Sequence, residues 1–301
     1  MAQQGLIEGG RRPVSYAEIG RRPRWRRALS STSGAGPLLL APGALLGVCL
    51  LIPLVTVAVT AFGLGLHGVA DAVTDSLFVS AVRRTLPMAA IVTLLAFLLG
   101  SAYALGLTFA SKPVRVVLLL ALFASFWVSL LVRTYGWVLL IQPNGLLEDV
   151  LAGLGLVRRP LQLFQTTPAM YPAMVHAMLP YMIMPIYASL RGLDLRIVRA
   201  AQSLGAGPLM VLRRIVLPQM RAGAAAGAVL VFVLSLGFYI TPKFLGGPSD
   251  LTVATIIDQQ FSQLFNFGVA SAMGLVLLVT VLAIYVVADR VGGISRQWEQ
   301  L

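Results

Sequence analysis

Six long apolar blocks decide what this chain can be. They cover roughly residues 38–63, 86–110, 114–141, 168–190, 221–243 and 267–288. A helix needs about 20 largely apolar residues to cross the hydrocarbon of a bilayer, and every block reaches that length. None alternates with period two, which excludes membrane β-strands. The pattern predicts an all-α membrane protein with six transmembrane helices. Composition agrees: 58% of the residues are hydrophobic, 11% are charged and the mean hydropathy is +0.86, whereas soluble domains carry about 25% charge.

A net charge of +12 would point to nucleic acid in a soluble chain; here its placement points to topology. One side of the blocks collects seven Arg before residue 38, then Lys112, Arg115, Arg191, Arg196, Arg199, Arg213, Arg214, Arg221, Arg290 and Arg296, which makes 17. The other side holds 5: Arg83, Arg84, Arg158, Arg159 and Lys243. The positive-inside bias therefore predicts cytoplasmic N- and C-termini and no nucleic-acid partner. Residues 1–37 form a basic tail, too long in its charged part for a signal peptide and suited to anionic lipid or a partner subunit. A six-helix transmembrane body over 38–290 and a short cytoplasmic tail over 291–301 complete the layout.

Between the fourth and fifth blocks lies the one long polar break, DLRIVRAAQSLGAGPLMVLRRIVLP over 194–218. Ala200 and Ala201 give a thin helix face of high helix propensity. Gly205 can turn the backbone through positive φ, so two short helices can meet there, and Pro218 predicts a break before the next span. Leu195, Val198, Ala201 and Leu204, then Leu209, Leu212 and Ile215, fall at helical spacing, as in a surface helix pair along the membrane.

The order Ala-Ala, three residues, Gly205, nine residues, Ile215-x-Leu217-Pro218 resembles the cytoplasmic "EAA" loop of ABC-importer permeases. Arg199 stands where that family usually has Glu. VSLLVRTYGWVLLIQPNGLL (128–147), LPYMIMPIYASLRGLD (179–194) and LGFYITPKFLGGP (236–248) resemble the spermidine/putrescine-type branch. The resemblance implies a type I ABC-importer permease fold in a bacterial inner membrane, with coupling helices in a loop at 191–220. It also implies a second permease subunit, two ATPase subunits and a periplasmic binding protein. Arg199, Ala200, Ala201, Leu204, Gly205, Ala206, Ile215, Leu217 and Pro218 would then contact the ATPase. The implied solute is a polyamine, with an opine, amino acid or phosphonate as the rival.

Other residues are candidates on their own chemistry. Arg133 is the one charge well inside a block, where it either lines a pathway, pairs within the structure or snorkels outward. Tyr135 and Trp137 fit a pathway or the interfacial belt, and Tyr181 joins the pathway set. Gly237 and Pro242 weaken the helix beside Phe238, Tyr239, Thr241 and Lys243, which fits a gate or a helix terminus. Pro172, Pro180 and Pro185 predict a kinked or locally unwound fourth span. His176 reads as a hydrogen-bonded structural residue.

Enzyme chemistry has no residues to work with. The two lysines, Lys112 and Lys243, do not follow a glycine, so no P-loop exists, and ATP and magnesium are expected on a partner. One cysteine and two histidines support neither a metal centre nor a hydrolase. A self-contained secondary carrier is the alternative of a different class. The absence of an internal repeat and of acids inside the blocks counts against it.

Overall fold

The computed structural model describes residues 36–156, 162–247 and 250–292. The expected basic tail up to residue 35, Arg158, Arg159 and the stretch from 293 onward lie outside the described residues. The chain divides into two units, Met1–Val55 and Thr56–Leu301, and the packing below is that of the second. Among the described residues every regular element is a helix.

Helix α1 runs Gly36–Phe62, α2 Gly65–Thr74 and α3 Ser76–Phe109. The Asp75 carboxylate accepts the N–H groups of Leu77 (2.8 Å) and Phe78 (3.3 Å) and so starts α3. The expected 86–110 span is therefore the C-terminal part of a 34-residue helix, about 51 Å long.

The 114–141 block is not one straight span. It folds as α4 (Lys112–Trp127) and α5 (Leu130–Ile141), followed by α6 (Leu146–Gly153). Lys112–Trp127 and the stretch Leu130–Gly153 meet at 97°, with Val128 (ψ 129°) and Ser129 (ψ 138°) extended between α4 and α5. Neither residue is Gly or Pro, so no local signal marks this elbow. Among the described residues five helices are long and apolar enough to span, and the bent pair counted as one makes six.

Helix α7 (Thr167–Arg191) is continuous through Pro172, Pro180 and Pro185, so the expected unwinding does not occur. Packing against α3 and α10 (Leu217–Leu236) accompanies this continuity. The helix is the most enclosed span and lies between those two. Gly100 of α3 faces Met182, and Gly223 and Gly227 of α10 face Pro185 and Met182. Small residues let the backbones approach closely, the usual means of helix association in lipid. Val92, Ala96, Met174, Met182, Ile186 and Val231 fill the shared core.

The polar segment gives α8 (Leu195–Ser203), then α9 (Pro208–Val211), a π-helical turn (Leu212–Val216) and α10 without interruption. The break expected at Pro218 is absent: Pro208–Leu236 is one 29-residue helix. The π turn explains it. Leu217 N–H bonds to Leu212 C=O, and this wider turn spares the clash between a proline ring and the preceding carbonyls. The fifth span thus starts before residue 221 and stops at Leu236, short of residue 243.

After Gly237 come α11 (Ile240–Leu245), α12 (Val253–Asp258), a second π turn (Gln259–Gln263) and α13 (Phe267–Gly292). Phe78, Ala81, Val253, Ile256 and Met273 form a small second core joining α3, α12 and α13.

Candidate functional site

The 194–218 segment is built by local hydrogen bonds that its sequence dictates. Asp194 caps α8, its Oδ1 accepting Arg196 N–H at 2.9 Å. At the other end Ala206 N–H bonds to Ala201 C=O (2.9 Å) and Gly205 N–H to Gln202 C=O (2.9 Å). Those two bonds, with Gly205 at φ +86°, make a Schellman motif. The Ala-x3-Gly-Ala spacing is the spacing of that motif: Ala201 offers the carbonyl, Gly205 the left-handed residue and Ala206 the closing N–H. Ala201 and Ala206 pack on the main core.

The motif throws one face outward. Arg199, Ala200 and Gly205 are exposed, and Leu204 is 89% exposed, although its spacing continues that of Val198 and Ala201. Leu209 (58%) is likewise exposed, whereas Val198, Val211 and Val216 are buried. Ile215 and Leu217 are half-buried and Pro218 is exposed. Leu204 ends outside because it is the C-cap residue, where the helical register no longer applies. Behind this face an apolar cavity of about 480 Å³ separates α8 and α9 from Leu105 and Phe109 of α3.

The other candidate residues gather around the elbow and α11. Trp137 Nε1–H donates to His176 Nδ1 (3.3 Å), and His176 Nε2 bonds Ser125 Oγ (3.1 Å). Indole has only a donor, so Nδ1 is the lone pair and Nε2–H donates to Ser125. One ring on α7 therefore ties both halves of the broken span, and His176 is the hydrogen-bonded residue its sequence predicted. Arg133 is half-buried, and its Nε and Nη1 are buried with no acceptor among the described residues. Tyr135 stacks on Phe244 of α11 at 5.2 Å, and Thr134 Oγ1 lies 3.3 Å from Thr241 Oγ1. Tyr181 packs instead on Phe126 of α4 at 5.7 Å, and Phe238 is buried.

Beyond the break at Gly237, Lys243 reaches Asp258 (2.8 Å) and the Tyr239 hydroxyl. Its ammonium lies 4.8 Å from the centre of the Tyr239 ring, a cation–π distance. The hydrogen bond to Asp258 raises the Lys243 pKa. Burial pushes the Asp258 carboxyl up, but hydrogen bonds from Lys243, Tyr239 and Ser262 outweigh it, and the net shift is downward. Asp258 carried no sequence signal, because it is fifteen residues from its partner. Glu148 was also missed: it is buried, with Oε2 accepting Asn144 N–H at 3.0 Å and Oε1 without a partner. No group of three metal-ligating side chains occurs among the described residues.

A six-span helical body with a capped, outward-facing polar segment before its fifth span defines a permease subunit of an ABC importer, with the type I permease fold. The chain belongs to the family described as "Binding-protein-dependent transport system inner membrane component", which matches residues 64–298. It is 33% identical over 213 residues to the spermidine/putrescine transport system permease protein PotB of Escherichia coli (strain K12), covering 68% of this chain and 78% of that protein. It is 32% identical over 114 residues to the PotC permease protein of the same system and organism, covering 37% of this chain and 42% of PotC. The fold matches a chain of a bacterial alginate ABC transporter, solved with alginate pentasaccharide-bound periplasmic protein. There the TM-score is 0.73 at 19% identity, covering 89% of this chain and 96% of that chain. The relatives are inner-membrane transport permeases, so this is a multi-pass inner-membrane protein.

Proposed function

We propose that this chain forms half of the translocation pathway of a polyamine importer. A second, different permease subunit would complete the pathway, a periplasmic binding protein would deliver the solute, and two cytoplasmic ATPases would bind ATP and magnesium. The observation that carries the coupling role is the Schellman turn at Gly205, which presents Arg199, Ala200 and Leu204 to a partner at one end of the bundle. An ATPase groove there, on the cytoplasmic side, would move α8 and α9 together as the ATPase dimer closes. Arg199 calls for an acidic contact on that partner in place of the basic one a Glu would meet. Solute would pass along α5 and α11, between Arg133, Tyr135, Trp137, Thr241 and the Tyr239–Lys243–Asp258 cluster.

Polyamine is favoured by the PotB similarity and by Asp258 beside Tyr239, since a carboxylate and an aromatic face together suit an alkylammonium. The second reading, a zwitterionic or anionic solute, is favoured by the two unpartnered nitrogens of Arg133, which suit a carboxylate or phosphonate. ATPase activity of the reconstituted complex tests the coupling role, with wild type compared to Gly205→Glu. Solute-loaded binding protein should stimulate wild type and leave the variant at its basal rate although the complex assembles. Normal stimulation of the variant would refute the coupling assignment. Competition of labelled spermidine uptake by amino acids or phosphonates then separates the two solute classes.

A further inference from the structure

Arg83 and Arg84 take no part in the function proposed so far. They stand near the start of α3, and the positive-inside bias opposes charges on their side. Twenty-six residues separate Arg83 from Phe109, whose end of α3 borders the coupling segment. That distance is about 39 Å along a helix, more than the roughly 30 Å of hydrocarbon. The pair therefore reaches the aqueous interface at the opposite end of the bundle. Both side chains are exposed, and neither guanidinium forms an ion pair or hydrogen bond with a described residue.

The two arginines line a recess of about 410 Å³ with Thr167, Tyr171, Asp250 and Thr252. Asp250 is the acid within reach, and its oxygens are already committed. Oδ1 accepts Thr167 Oγ1–H at 2.6 Å and Oδ2 accepts Gly247 N–H at 3.1 Å. The recess is thus a socket that sets two guanidinium groups, without partners among the described residues, beside a wall of mixed polarity that includes Pro87, Met88 and Met170, and their fork geometry matches a carboxylate.

We propose that this socket receives acidic side chains on the docking face of the solute-loaded binding protein, a role that rests on the importer reading above. Charges of this kind on the rim of an interface govern encounter and salt dependence more than the chemistry that follows. The socket should therefore set the half-saturating concentration of binding protein and leave the maximal rate alone.

The test is ATPase activity of the assembled importer in lipid vesicles, titrated with solute-loaded binding protein. For R83E/R84E the half-saturating concentration should rise about 10-fold at low salt, with the maximal rate unchanged. Added salt should weaken wild type more steeply than the variant. The milder R83Q/R84Q, expected to shift the same way by about 3-fold, guards against a variant that misfolds. An unchanged half-saturation, or equal salt slopes, overturns the socket. If the variant loses basal activity without binding protein, and wild type loses it equally in vesicles lacking anionic lipid, a lipid headgroup holds the recess and the proposal fails. A wild type indifferent to binding protein at every concentration overturns the importer reading itself, and the socket with it.

Discussion

Helix α7 and the α4–α5 pair reverse the rule that prolines break helices. α7 holds three prolines and runs unbroken for 25 residues. Lys112–Trp127 and the stretch Leu130–Gly153 meet at 97° across Val128–Ser129, where neither residue is Gly or Pro. Enclosure separates them. α7 is packed by α3 and α10 on both sides, so its path is fixed by neighbours, and lost hydrogen bonds are tolerated where packing supplies the framework. The elbow is held by side chains from elsewhere, through the His176 ring, and not by its own sequence.

Four experiments can break or sharpen that contrast. The largest effect is expected for Gly223→Ala, whose new Cβ would fall 2.2 Å from the Pro185 carbonyl oxygen. Overpacking against backbone should cost about 3 kcal/mol, read as a lower thermal midpoint in detergent. An unaltered midpoint would mean that α10 does not hold α7. His176→Phe comes next. It leaves the Trp137 indole N–H without its acceptor and the Ser125 hydroxyl oxygen without its donor and should cost about 1–2 kcal/mol, with a cysteine placed at Trp127 changing its labelling rate. A labelling rate equal to wild type would show the elbow to be set without His176. Pro185→Ala should leave the midpoint unchanged or raise it by up to about 1 kcal/mol; a clear drop would return control of α7 to its prolines.

The smallest effect concerns pH and serves as a control outside the spans. Asp258 has a lowered pKa, so its contribution is present above the unfolded carboxylate value of about 4 and is lost as pH falls through the lower folded one. Lys243 has a raised pKa, so its contribution is present below about 10.4 and is lost as pH rises through the higher folded one. Stability from this pair should be level between about pH 5 and 9. A slope in that window that disappears in Asp258→Asn would contradict the assignment.

What could be read from the chain follows the range of the forces involved. The span count and the Gly205 turn were legible, because hydropathy and a Schellman cap are written in consecutive residues. Leu204 continues the spacing of Val198 and Ala201 yet lies outside, because α8 ends one residue earlier at Ser203. The Pro218 break was wrong because a π turn two residues earlier absorbs the ring. The elbow at Val128–Ser129 and the Lys243–Asp258 pair were not legible, since each depends on side chains brought from another helix or from fifteen residues away. Arg133 stood out as a buried charge, but whether its nitrogens find acceptors is decided by three-dimensional packing.

The π turn at Leu212–Val216 has a mechanical consequence. Because it keeps Pro208–Leu236 in one piece, the element that begins at the exposed segment ends at Gly237, beside Tyr239 and Lys243. A rod of 29 residues is about 43 Å long, and a tilt of about 5° about one end displaces the other by roughly 4 Å. A displacement of that size exceeds the 2.8 Å that joins Lys243 to Asp258. Motion imposed at Pro208 could thus open a polar contact at the far side of the membrane, with no hinge between to dissipate it.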